Sequence, residues 1–152
     1  MPVRILMVCL GNICRSPLAE GIMKSLSDPD LIHVDSAGTA GYHVGHPPDP
    51  RSIEVAADHQ IDISGQRCRK FTVSDFDDFD HIFAMDLANL ENIRRLARSD
   101  ADRQKVRLLL EAGGLGPREV PDPYYGGASG FLEVFSMLET ACSRISSELQ
   151  TF

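Results

Sequence analysis

The stretch VRILMVCLGNICRSPLAE, residues 3–20, passes without a linker from one kind of sequence to a second and then a third. Val3 to Val8 is a continuous apolar run with one charge, Arg4, the pattern of a parallel strand buried on both faces rather than of an alternating, half-exposed one. The following residues contain Gly11 and Asn12 and show no periodicity, which reads as a loop. Ser16 and Pro17 then read as an N-cap and a first helical residue, and Leu18, Ile22 and Leu26 repeat at helical spacing. A strand, loop and helix in this order place the loop beyond the carboxyl end of the strand, where open parallel sheets bind their ligands.

The rest of the chain repeats this alternation. Ile32 to Ser36 reads as a second strand. A helix over Arg51 to Gln60 follows the Pro-rich turn HPPDP, and a short helix is expected over Thr72 to Phe79, where Thr72 and Asp75 stand at capping-box spacing. His81 to Met85 reads as another buried strand, followed by a helix with Leu87, Leu90, Ile93 and Leu96 on a common side. Val106 to Leu110 is too short for periodicity to choose between strand and helix end. The last helix carries one apolar stripe of Phe131, Phe135, Leu138, Cys142, Ile145 and Leu149. The expected fold is therefore α/β, one domain over residues 1–152, with a parallel sheet covered by helices on both faces.

With 152 residues, 43% of them hydrophobic, the chain can bury a core without staples. Its formal net charge of -7 repels nucleic-acid backbones and anionic membranes, so neither is an expected partner and any bound anion must be attracted locally. The opening apolar run is too short for a secretory leader or a membrane span. The four cysteines, Cys9, Cys14, Cys68 and Cys142, lack CxxC spacing, which suits reduced thiols and a cytoplasmic location. A monomer is expected.

The chemistry lies in CLGNICR, residues 9–15. A loop of this length can curl its N–H groups around one tetrahedral oxyanion, helped by the positive end of the following helix, with Gly11 permitting a backbone closed to most residues. Arg15 would add a bidentate fork to two phosphate oxygens, which Lys cannot imitate. A helix N-terminus and an arginine also favour an ionised thiol, so Cys9 reads as a nucleophile. Ser16 can donate to the sulfur or cap the helix, but one hydroxyl need not do both. A buried cysteine ending a core strand is the bland alternative for Cys9. The loop, arginine and helix start together outweigh it. Zinc is not expected, because no Cys/His cluster completes a tetrahedron, and the nucleotide-loop lysine is missing.

VCLGNICRSPLAE resembles the signature of the low molecular weight protein tyrosine phosphatases, and PDPYYGG, residues 121–127, resembles that family's acid loop. DSAG, VGHPPDPRS and FDDFDHIFAMD extend the resemblance over most of the chain. It implies a four-stranded parallel sheet, no metal or other cofactor, a phosphotyrosine-containing protein substrate and a cysteinyl-phosphate intermediate. By residue, it implies Cys9 as nucleophile, Arg15 as phosphate clamp and Asp122 as the acid that protonates the leaving oxygen. Leu10, Gly11, Asn12, Ile13, Cys14 and Ser16 complete the substrate-binding loop. Asn12 and Ser36 match the pair that braces it, and Ser16 the hydroxyl that steadies the thiolate. Tyr42, Tyr124 and Tyr125 fall where the family places aromatic walls, with Tyr42 where many members have Trp. Ile13 favours phosphotyrosine, since the related arginine phosphatases carry Thr there.

An Asp between two prolines is by itself a turn residue. The chemistry nevertheless needs a proton donor, and Pro121 and Pro123 can hold the Asp122 carboxyl in place while Gly126 and Gly127 let the chain move. Cys14 reads equally as a packed thiol or as a redox partner that traps oxidised Cys9 in a disulfide. Cys68 reads as an exposed turn residue, Cys142 as part of the last helix's stripe, and Asp86 as a helix N-cap. The five histidines form no cluster and are expected at the surface. Two other functions stay open: a thioredoxin-coupled arsenate reductase, which would need a second cysteine pair that the chain lacks, and a non-catalytic phosphotyrosine-binding module, which would not need Cys9 or Asp122.

Overall fold

The computed structural model describes residues 2–124 and 128–150. Its elements follow the order β1 (Val3–Cys9), α1 (Arg15–Leu26), β2 (Ile32–Gly38), α2 (Pro50–Ala57), α3 (Asp75–Asp78), β3 (His81–Ala84), α4 (Leu87–Arg95), α5 (Asp100–Gln104), β4 (Val106–Leu108), α6 (Leu109–Ala112) and α7 (Ala128–Leu149). The strands form one four-stranded, all-parallel sheet in the order β2-β1-β3-β4. The chain runs from β1 to β2 on one side and reaches β3 on the other, so the order reverses at β1. Its carboxyl end is the switch point at which such sheets open a crevice.

Period-two alternation along β1 distributes its apolar run between two cores. Ile5, Met7 and Cys9 face one core with Leu18, Ile22 and the α7 residues Phe131, Phe135, Leu138, Cys142 and Ile145. Leu6 and Val8 face the other with Phe71, Phe76, Ile82 and Ile93. Both faces are covered, which is why the run is continuous. No helix among the described residues is long and apolar enough to cross a membrane.

Several local expectations shift. Helix α1 begins at Arg15, with Cys14 in the N-cap position and no side-chain cap, so Ser16 lies inside the first turn and Pro17 one residue further. Proline is tolerated there because N–H groups of a first turn have no intrahelical acceptor. Helix α2 stops at Ala57, short of Gln60, whose φ of 61° is left-handed. The Asp75 carboxylate does reach back to the Thr72 N–H at 2.8 Å, but only Asp75–Asp78 are helical. In α4, Ile93 is buried and Leu90 packs against its core, whereas Leu87 is 54% exposed and Leu96 47% exposed, so the apolar side is narrower than its spacing suggests. The ambiguous 106–110 segment is both things in turn, β4 and then the start of α6. Helix α5 was not expected; Ser99 caps it, accepting from the Asp102 N–H at 3.2 Å.

Candidate active site

The loop after β1 is tied down through its carbonyls. Those of Cys9 and Leu10 accept from the Thr39 and Ala40 N–H groups, both at 2.9 Å, and that of Ile13 from the Asp49 N–H at 2.8 Å. The Asn12 carbonyl accepts from the Cys68 thiol at 2.8 Å, and the Cys14 carbonyl from the Ser52 hydroxyl at 3.4 Å. With the carbonyls drawn outward, planar trans peptides turn the intervening N–H groups toward the inside of the loop, the side from which an anion would enter.

The residue that bends the loop is Asn12, at a left-handed φ of 58°. Gly11 does not carry a positive φ. Its place is restricted by contact instead, since a Cβ there would stand 3.2 Å from Cδ2 of His43. Asn12 bears the unusual backbone because its amide is fully employed: Nδ2 donates to Ser16 Oγ at 2.8 Å and to Ser36 Oγ at 3.0 Å, and Oδ1 accepts from the Arg69 N–H at 3.0 Å. The expected Asn12–Ser36 pair is therefore in contact. Beyond it, Ser36 donates to the buried Glu20 carboxylate at 2.6 Å. Ser16, freed from capping, sits 3.0 Å from Cys9 Sγ. Gly38 closes the back of the loop, where a Cβ would lie 2.8 Å from the Leu10 carbonyl oxygen, so no larger residue fits without moving backbone.

Arg15 is held in a buried position, its side chain 4% exposed. Its Nη1 donates to Asp86 Oδ2 at 2.7 Å and to the Val120 carbonyl at 2.9 Å, and Nη2 lies 3.8 Å from Asp122 Oδ2. Burial opposes its charge, but Cys9, Asp86 and Asp122 more than offset that and raise its pKa above the ordinary arginine value. Asp86 is the expected N-cap, accepting from the Asn89 N–H at 2.8 Å with one oxygen, and it orients Arg15 with the other. Asp122, with its side chain 43% exposed, accepts from the Tyr124 N–H at 3.0 Å in the turn that its prolines suggested.

A cavity of about 230 Å³ is lined by Cys9, Leu10, Gly11, Ile13, Cys14, Arg15, Tyr42, His43, Asp122 and Tyr124. That is below the usual range for drug-sized ligands and suits a single side chain. It brings together nine of the thirteen site residues singled out from the sequence. Tyr125, Gly126 and Gly127 lie outside the described residues. Asn12, Ser16 and Ser36 stand behind the cavity rather than along its wall. His43 was not anticipated as a wall residue; its only sequence signal was its place beside Tyr42. Cys68, expected in an exposed turn, is buried and supports the loop from behind. Cys14 is also buried, and burial followed by the charges of Asp49, Cys9 and Asp122 pushes its thiol up to about 12.

A buried cysteine and arginine on one loop, at the switch point of a parallel sheet with a carboxyl group across the same cavity, define an α/β domain with a small pocket at its sheet edge. The sequence model of the low molecular weight phosphotyrosine protein phosphatases matches residues 4–151. A putative low molecular weight protein-tyrosine-phosphatase of Synechocystis sp. is 43% identical over 97% of this chain and 96% of its own. The crystal structure of a protein tyrosine phosphatase from Entamoeba histolytica, with Hepes in the active site, superimposes with a TM-score of 0.90 at 37% identity, covering 97% of both chains. Vibrio vulnificus Wzb in complex with benzylphosphonate gives a TM-score of 0.87 at 28% identity, covering 97% of this chain and 99% of that one. The chain belongs to the low molecular weight phosphotyrosine protein phosphatase family, and it is a protein tyrosine phosphatase.

Proposed function

We propose that the enzyme hydrolyses phosphotyrosine in proteins through a cysteinyl-phosphate formed on Cys9. The observation that carries this reading is the single cavity that joins Cys9, Arg15 and Asp122 with the rings of Tyr42 and Tyr124. In the first step Cys9 Sγ attacks phosphorus, and the S–P bond forms as the bond to the phenolic oxygen breaks. Asp122 gives its proton to that oxygen. In the second step the Asp122 carboxylate takes a proton from water, the water oxygen attacks phosphorus, and the S–P bond breaks to return the thiolate and release inorganic phosphate. Arg15 and the inward N–H groups hold the equatorial oxygens through both steps, and Ser16 steadies the sulfur as leaving group.

Leu10, Ile13 and the two tyrosines supply apolar contact to an aryl ring, and no cofactor enters the scheme. We place the reaction in the cytoplasm, where a nucleophilic thiol stays reduced, with the chain acting as a monomer. The test is an acid quench of enzyme mixed with phosphopeptides that differ only in the phosphorylated residue. Phosphotyrosine should give a phosphoenzyme whose label maps to Cys9, and phosphoserine and phosphothreonine should give little. Label on any other residue, or equal labelling by all three peptides, would sink the reading.

For Cys14 we propose a conditional redox role. Held as a thiol at rest, it packs; once peroxide has converted Cys9 to a sulfenic acid, the Cys14 sulfur attacks the Cys9 sulfur, a disulfide forms and water leaves. Mild peroxide should then inactivate the enzyme reversibly, with thiol restoring activity and peptide mapping finding a Cys9–Cys14 linkage. If the treated protein contains no such linkage, Cys14 is a packing residue alone.

A further inference from the structure

Arg51, the second residue of α2, does not line the cavity, yet it touches both halves of the site. Its guanidinium makes a two-point pair with Asp49, Nε to Oδ1 at 3.1 Å and Nη2 to Oδ2 at 3.0 Å. Its carbon Cζ also lies 5.3 Å from the centroid of the Tyr124 ring and 4.6 Å from that of Phe131, within the range of cation–π attraction. Asp49 belongs to the nucleophile side: its N–H donates to the Ile13 carbonyl at 2.8 Å, and its negative charge helps to raise the Cys14 thiol pKa. Tyr124 belongs to the acid side, its N–H donating to Asp122 Oδ1 at 3.0 Å.

The segment from Pro121 to Tyr124 has no helical or strand hydrogen bonding of its own. Its anchors include the Val120 N–H on the Met85 carbonyl at 2.8 Å, Arg15 on the Val120 carbonyl at 2.9 Å and 3.8 Å from Asp122 Oδ2, the buried Pro123, and the Tyr124 ring beside Arg51. A carboxyl group that must meet one oxygen at the moment its bond breaks loses effectiveness steeply when displaced.

We propose that Arg51 is a positioning residue for the general acid. Through Asp49 it is fixed to the nucleophile loop, and through Tyr124 it sets where Asp122 stands relative to Cys9. The inference rests on the assignment of Asp122 as the acid. Only the flat, two-faced guanidinium can pair with a carboxylate along its edge while presenting a face to a ring, so lysine is an incomplete substitute.

The test compares kcat/KM for phenyl phosphate with that for 4-nitrophenyl phosphate in Arg51→Met and Arg51→Lys, with thermal unfolding of each variant measured alongside. Displacement of the acid penalises the poorer leaving group, so Arg51→Met should lose about 30-fold on phenyl phosphate and less than about threefold on 4-nitrophenyl phosphate. Arg51→Lys should fall between Arg51→Met and wild type. In an Asp122→Ala background the further loss from Arg51→Met should nearly vanish, because no acid remains to be placed.

Equal losses on both substrates, or full additivity with Asp122→Ala, would overturn the inference and leave Arg51 as a general support of the fold. Failure of the underlying assignment looks different. If Asp122→Ala alone loses the same factor on both phenols, Asp122 is not the acid, whatever Arg51 does. If Asp122→Ala is sensitive to the leaving group and Arg51→Met is not, only the positioning role falls. Should Arg51→Met prove too unstable to assay, Arg51→Lys and its combination with Asp122→Ala carry the same comparison.

Discussion

Replacing Cys9 with Ser is expected to lower turnover of phosphotyrosine by on the order of five powers of ten while leaving oxyanion binding intact. A hydroxyl at neutral pH is a far weaker nucleophile than a thiolate, and Ser16, the hydroxyl 3.0 Å from that position, is itself neutral and cannot activate it. The cradle does not depend on sulfur, since the loop is bound through its carbonyls and Arg15 through Asp86 and Val120. Calorimetric titration with inorganic phosphate or tungstate alongside the assay checks both halves. Residual activity within about a hundredfold of wild type would remove Cys9 from the role of nucleophile.

Replacing Asp122 with Ala is expected to give the second largest loss, and one that depends on the substrate. A phenoxide with a parent pKa of about 10 departs poorly unless protonated as its bond breaks, whereas a nitrophenoxide leaves more readily unaided. Measured as kcat/KM, which includes formation of the cysteinyl-phosphate, the defect should shrink from about a thousandfold for phenyl phosphate to about tenfold for the most acidic phenols. Wild type should show only a shallow dependence across the series. A uniform loss would mean that Asp122 shapes the pocket without delivering a proton. Asp86 would be the next carboxyl group to test, although its contacts with Arg15 and the Asn89 N–H already employ both its oxygens.

The parts of the site legible in the sequence are those whose logic is local. Cys9, Arg15 and the helix start occupy one contiguous stretch, and a continuous apolar run followed by a loop and a helix already implies the sheet edge at which they meet. The supports were harder to read because they arrive from far along the chain. Cys68 reaches Asn12 across 56 positions and Asp86 reaches Arg15 across 71, and neither contact leaves a periodic trace. Ser16 was ambiguous because a hydroxyl ahead of proline fits two jobs equally; the nearby sulfur and Asn12 amide decide between them. Gly11 drew attention as the flexible residue, but the left-handed position belongs to Asn12, a residue type that tolerates it, whose side chain has three partners to hold it there. Arg51 stood inside VGHPPDPRS without a role of its own, since an arginine at a helix start is ordinary until two rings are found beside it.

The outward carbonyls of the nucleophile loop bear on how the enzyme fails as well as on how it works. Their donors come from the segment after β2, the start of α2 and the turn at Cys68, so the cradle is stitched to pieces of chain that are themselves packed on the sheet. Opening it locally would break these hydrogen bonds together, so the loop is expected to open with the core rather than ahead of it. The proposed oxyanion cradle is thus expected to share the core's cooperative unit, in spite of its name as a loop. The proposed acid segment, outside any helix or strand, is expected to belong to a softer one. As temperature rises, the ability to transfer a proton should fade before the ability to bind phosphate does.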